Sequence, residues 1–194
     1  MLSNPNTTKD ISAFVQRGTA APITQWYCSF IVNATFASAS QGVDQLRSVP
    51  FISGAGGAID TIAFEVVTGG AVGAVGRVGI YEATSDTNLY PGALVVDSGQ
   101  FDCTTTGVKS ATISATLKPN TLYWFAYHLG GATSTLRLLN TTSTPNVMGF
   151  GAALGGSSRS GLTGAQAYGA LPATYNAGQT FATGGLAAVF VHFS

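Results

Sequence analysis

The chain is expected to fold as an all-β protein: a jelly-roll-like antiparallel β-sandwich of about eight strands with an extended N-terminal arm. Three features point there. Apolar and polar residues alternate with the two-residue period of half-buried strands in several separate runs. Clusters of Gly, Pro, Asn, Ser and Thr separate the runs, with 25 glycines among 194 residues. No amphipathic helix of core-forming length interrupts the pattern.

The elements follow in order. Residues 1–25 form the arm and residues 26–194 the sandwich domain. Asn4, Pro5, Asn6, Thr7 and Thr8 are extended polar chain. In KDISAFVQRG, Asp10 caps one helical turn with Ile11, Phe14 and Val15 on one side, and Gly18 ends it. An arm so short and polar does not fold alone, so it is expected to lie on a partner. Its candidate contacts are Ile11, Phe14, Val15 and Arg17.

From residue 26 onward the signal is β. TIAFEVV places Ile62, Phe64 and Val66 on one face, with Thr61, Ala63 and Glu65 on the other. ATISATL turns Ile113, Ala115 and Leu117 inward and Thr112, Ser114 and Thr116 outward. LYWFAYHL, 122–129, is apolar on both faces, as a strand covered on both sides would be. Leu136 and Leu138 flank Arg137, and AAVFVHF closes the chain with Val189, Val191 and Phe193 on one face. Residues 148–175 are long and glycine-rich, either a surface excursion or a meander of weak strands. Glycines at 69, 70, 73 and 76 keep no collagen register, and a turn before Arg77 accounts for them.

Composition narrows the function. Hydrophobic residues make up 45% of the chain but charged residues only 8%, with a formal net charge of zero. A surface covered by Ser, Thr, Gly, Ala and Asn repels its neighbours weakly, which favours a subunit of an assembly. Eight scattered Lys and Arg matched by eight acids exclude an electrostatic footprint for nucleic acid. No apolar run approaches a membrane span. MLSNPNTTKD lacks the regions of a signal peptide, so synthesis in a cytoplasm is expected. Cys28 and Cys103 fit no metal spacing; they either pair or stay two small buried thiols.

Chemistry is sparse. His128 and His192 stand near strand ends without a motif partner, and are read as half-buried strand residues. GGSSRSG fails the G-x-S-x-G elbow because Ser160 occupies the last glycine position. No Gly cluster leads into Lys-Ser or Lys-Thr, and GAGGAI ends on Ile59 where a dinucleotide fingerprint needs glycine. Asp97 with Asp102, and Glu82 with Asp86, are turn residues before they are catalytic pairs. The expectation is a protein that is not an enzyme and takes no metal or cofactor. Tyr90, Tyr168, Tyr175 and Phe181 fall in predicted loops and are the candidate loop contacts, for a protein interface or a sugar ring.

Residues 77–131 carry an ordered series of phrases: Gly79-Ile80-Tyr81, Pro91-Gly92, Leu94, Asp97-Ser98-Gly99, Thr106-Gly107, Thr112-Ile113-Ser114 and Leu122-Tyr123-Trp124, with GALPATY following at 169–175. In order and spacing this stretch resembles a β-sandwich module of tailed-bacteriophage virion surface proteins, of the capsid decoration or tail-fibre type. The resemblance implies a structural virion protein. The chain has no coiled-coil, collagen-like or β-helical shaft, which favours a capsid cement protein over a fibre. Its expected partners are the major capsid protein and itself, as a homotrimer on the capsid surface, made in the host cytoplasm. The alternative is a tail-fibre or adhesin domain recognising host glycan.

Overall fold

The structure, a computed structural model, describes residues 26–29, 36–139, 159–182 and 184–194. The arm contacts expected at Ile11, Phe14, Val15 and Arg17 lie outside the described residues, as does 148–158 of the glycine-rich stretch.

No helix occurs among the described residues. The strands are β1 (Trp26–Cys28), β2 (Phe36–Gln41), β3 (Gln45–Ile52), β4 (Gly57–Thr68), β5 (Val75–Ala83), β6 (Pro91–Asp97) and β7 (Phe101–Asp102). They continue as β8 (Gly107–Leu117), β9 (Leu122–Gly130), β10 (Ser134–Leu139), β11 (Gly161–Ala165), β12 (Thr180–Ala182), β13 (Leu186–Ala187) and β14 (Phe190–Phe193). Eight of these fourteen have six or more residues, and they carry the periodicity visible in the sequence. Of the other six, β14 carries the alternation read at the end of the sequence, and the rest are too short to show a period of their own.

The strands form two seven-stranded antiparallel sheets that pack face to face as a β-sandwich. In sheet A, β8 lies along one edge of β4; β14 and β10 share the other, flanked by β1 and β2 respectively. Sheet B runs β12-β11-β3-β9-β5, and β6 and β7 share the outer edge of β5. The chain crosses between sheets at β2–β3, β3–β4, β4–β5, β7–β8, β8–β9, β9–β10, β10–β11 and β12–β13. Repeated crossing of this kind is what the jelly-roll-like expectation required.

Between the sheets sits the main core. Ile62, Phe64 and Val66 of β4 point into it, as do Tyr123, Phe125, Tyr127 and Leu129 of β9 and Val191 and Phe193 of β14. Phe51 stacks on Phe125 with centroids 4.4 Å apart. Burying each such side chain contributes about 1.5–3 kcal/mol, so this layer is the main source of stability. On β8 the expected alternation holds: Ile113, Ala115 and Leu117 face inward while Thr112, Ser114 and Thr116 are exposed.

Residues 122–129 are covered on both faces, as expected. The outer cover is a strap, residues 166–176, which follows β11 and lies across sheet B. Residues 161–165 pair with β3, so the described part of the glycine-rich stretch is strand and strap rather than a free excursion. Register explains the seat. Across β3, β9 and β5 the outward residues form three rows: Leu46–His128–Arg77, Ser48–Ala126–Gly79 and Pro50–Trp124–Tyr81. The middle row is small, leaving a trough between two rows of large side chains. Leu171 and Tyr175 fill it, joining Leu46, Tyr81, Trp124, Ala126 and Leu162 in a second apolar cluster. A Cβ on Gly79 would collide with Leu171 Cδ1, and one on Gly130 with the Tyr168 ring, so both strand glycines are places where the strap lies flush on the sheet.

Candidate functional site

Two surfaces stand out, and sequence-local causes build both. The first is the end of the sandwich carrying the β5–β6 loop. Residues 84–90 cannot continue the ladder, so their polar side chains take the backbone groups instead. Thr84 donates through N and Oγ1 to the Tyr90 carbonyl at 2.8 and 2.9 Å, and Asn88 N donates to Ser85 Oγ at 2.9 Å. From beneath, Trp124 Nε1 donates to the Leu89 carbonyl at 2.9 Å. Leu89 and Tyr90 are left outside, 55% and 48% exposed.

A cleft opens on each side of this loop. One, of about 480 Å³, lies between Asn88 and Tyr90 on the loop, Thr174 and Asn176 of the strap, and Gln179 beyond it. The other, of about 570 Å³, is bordered by Glu82, Asp86, Leu89, Asn120 and Leu122.

The four loop aromatics are not brought together. Tyr90 is displayed. Tyr175 borders the same cleft but is only 6% exposed, its hydroxyl on Ser48 Oγ at 2.9 Å and its ring edge-on to Tyr81 at 4.9 Å. Its burial pushes the phenol well above the usual range. Tyr168 is half-buried over His128, centroids 5.1 Å apart. Phe181 lies in β12 rather than in a loop, half-buried beneath the Arg159 guanidinium at 4.2 Å. Tyrosines in a glycine-rich, uncharged stretch look like display residues in sequence; here that stretch is the cover of a second core.

The second surface is the outer face of sheet A. Trp26 is 46% exposed and Val108 66%. With Ala63, Phe64, Glu65 and Phe190 they border an apolar hollow of about 250 Å³. Trp26 is the first residue of β1 and the first of the described residues. Its polar neighbours are tied down. His192 Nδ1 meets Asp60 Oδ1 at 2.8 Å under the Trp26 ring, and the His192 and Thr61 hydrogen bonds hold the Asp60 carboxyl below its ordinary range. Arg137 grips Glu65 with two bonds of 2.8 and 2.9 Å, which likewise lowers the Glu65 carboxyl. Val108 extends the outward parity of Thr112, Ser114 and Thr116, so reading the β8 alternation two steps further back finds it.

Three of the four carboxylates singled out earlier have structural partners. Asp97 binds Arg77 at 2.6 Å and also accepts from the amides of Gly99 and Leu171 at 2.9 and 3.0 Å. Asp102 accepts from Thr104 N and Oγ1 at 2.8 and 2.7 Å. Glu82 pairs with Lys118 at 2.5 Å. Cys28 and Cys103 are both free thiols, pushed by burial up to about 12 and about 11 respectively, which keeps them protonated and unreactive. Among the described residues, no group of three or more His, Cys, Asp and Glu could hold a metal ion.

Compared with known proteins, the chain matches no family model and no curated sequence.

Proposed function

We propose that this protein is a structural virion component, a cement or decoration protein that binds the outer surface of a major capsid shell and stabilises it. The observation that carries the reading is the apolar hollow on the outer face of sheet A, where Trp26 and Val108 stay exposed. Exposed large apolar residues gathered around one hollow fit a surface that is covered in an assembly. The low charge of the chain fits close contact with many neighbours, and a partner that binds only the assembled shell raises its stability by mass action. The resemblance of residues 77–131 to phage virion modules points the same way.

The test is co-sedimentation with purified capsids of the full chain, of a form lacking residues 2–17, and of Trp26→Ser. Both variants are expected to stay folded and to lose most of the binding. Undiminished binding by both would overturn the reading.

A second reading rests on the cleft beside Tyr90. An exposed ring next to the amides of Asn88 and Asn176 offers a sugar both a stacking face and hydrogen bonds, so host glycan is the ligand to try there. It predicts glycan capture that Tyr90→Ala removes.

A further inference from the structure

β8 is eleven residues long and, among the described residues, pairs along one edge only, with β4. Its other edge presents alternate N–H and C=O groups with no strand beside them. Proteins guard such edges with shortness, charge, proline or a covering loop. The other edges among the described residues are shorter or covered. β12 has three residues and β1 three, and β2 has six. The edge of β6 is covered by the strap, through Leu94 N to the Ala173 carbonyl at 2.9 Å and Tyr175 N to the Gly92 carbonyl at 2.8 Å.

Among the described residues, β8 is neither short nor paired or covered along this edge. It contains no proline and a single charge, Lys109, whose ammonium is drawn back to Thr105 Oγ1 at 2.7 Å. The register with β4 slips opposite Asp60, but inward and outward residues of β8 still alternate without a break from Lys109 to Leu117.

We propose that this edge is a self-association surface: two copies of the chain join by antiparallel pairing of β8 with β8 about a two-fold axis at Thr112, making sheet A continuous across the dimer. The sequence of β8 suits its own copy in that register. Centring on Thr112 overlaps all eleven residues and keeps outward residues opposite outward ones. The exposed face then pairs Val108 with Thr116, Ser110 with Ser114, and Thr112 with itself, all small or β-branched and uncharged. Lys109 falls opposite Ala115, which leaves the two lysines about 20 Å apart along the strands. A register centred on Lys109 would oppose them directly. With eight basic and eight acidic residues, neither copy carries a net charge to repel the other. The inference rests on the β8 edge alone and stands or falls separately from the shell reading.

Sedimentation equilibrium of the full chain tests it. The chain is expected to be dimeric, and Thr112→Lys, which sets two ammonium groups face to face, is expected to weaken the dimer at least about tenfold. Thr112 is exposed, so circular dichroism should show the variant folded. Register is read by oxidation in a Cys28→Ser background: Thr112→Cys should cross-link to itself, and Ser110→Cys only when mixed with Ser114→Cys. A monomer, a trimer, or a dimer indifferent to Thr112→Lys would each overturn the proposal.

Discussion

The Tyr175 hydroxyl donates to Ser48 Oγ at 2.9 Å, joining residues 127 positions apart in the chain. Ser48 belongs to the row of small residues crossing sheet B, and Tyr175 reaches it because that row leaves a trough. The bond marks how the fold closes: the strap is a third layer, held by side chains that read as loop residues in the sequence.

Removing that hydroxyl isolates its worth. Tyr175→Phe keeps the ring on Tyr81 and leaves Ser48 Oγ buried without this partner, so it should cost about 1–3 kcal/mol. Tyr175→Ala also opens a cavity under the strap and should cost about 3–5 kcal/mol. Urea unfolding midpoints measure both. Equal losses would mean that the ring contributes nothing.

Gly79 and Gly130 test the seat of the strap from below. A methyl group on Gly79 would meet Leu171 and the Val96 carbonyl of β6, and one on Gly130 the Tyr168 ring, so Gly79→Ala and Gly130→Ala should each destabilise by about 1–3 kcal/mol, Gly130 reporting on the strap alone. The larger effect should appear in hydrogen exchange at the Leu171 amide, whose acceptor is Asp97. Neutral or stabilising substitutions would show that the strap yields without cost.

Much of this architecture is legible in the sequence. The alternation of β4 and β8 marks their inward faces correctly, and the doubly apolar β9 announces a cover on each side. What covers the outer face is not legible, because Tyr168, Leu171 and Tyr175 carry no repeat and sit among glycines. The trough exists only once β3, β9 and β5 stand in register, which brings Ser48, Ala126 and Gly79 together from three separate runs. Trp26 is equally silent, because whether it or the adjacent Tyr27 faces outward depends on where β14 places β1.

His128 makes the strap sensitive to acid. Its Nε2 lies 2.9 Å from the Gln166 carbonyl, which can only accept, so Nε2 carries the proton; the buried Nδ1 has no hydrogen-bond partner among the described residues. Burial holds its pKa below the ordinary 6.5, the Arg77 charge adds to this, and the Gln166 bond and Asp44 oppose it. Tyr168 lies against the same ring. A depressed folded pKa means that the unfolded chain binds the proton more readily. The stabilisation is therefore complete above the unfolded value and is lost as pH falls from there through the folded one. Unfolding midpoints taken between about pH 5 and 8 should decline on the acid side, and His128→Gln should flatten that decline. An unchanged profile in the variant would remove His128 from the account.

The opening of the β5–β6 hairpin depends on Trp124. Trp124→Phe keeps most of the apolar contact and releases the Leu89 carbonyl, which should cost about 0.5–1.5 kcal/mol. Exchange of the Thr84 amide, bonded to the Tyr90 carbonyl, should quicken with it. If Thr84 is unaffected, the loop is held by its own polar side chains alone.

The most direct test of the central claim is the abundance of this protein in purified virions, quantified on a gel against the major capsid protein. A cement protein covering the shell is expected at a copy number comparable to that of the capsid subunit. A few copies per particle, or none, would contradict the account.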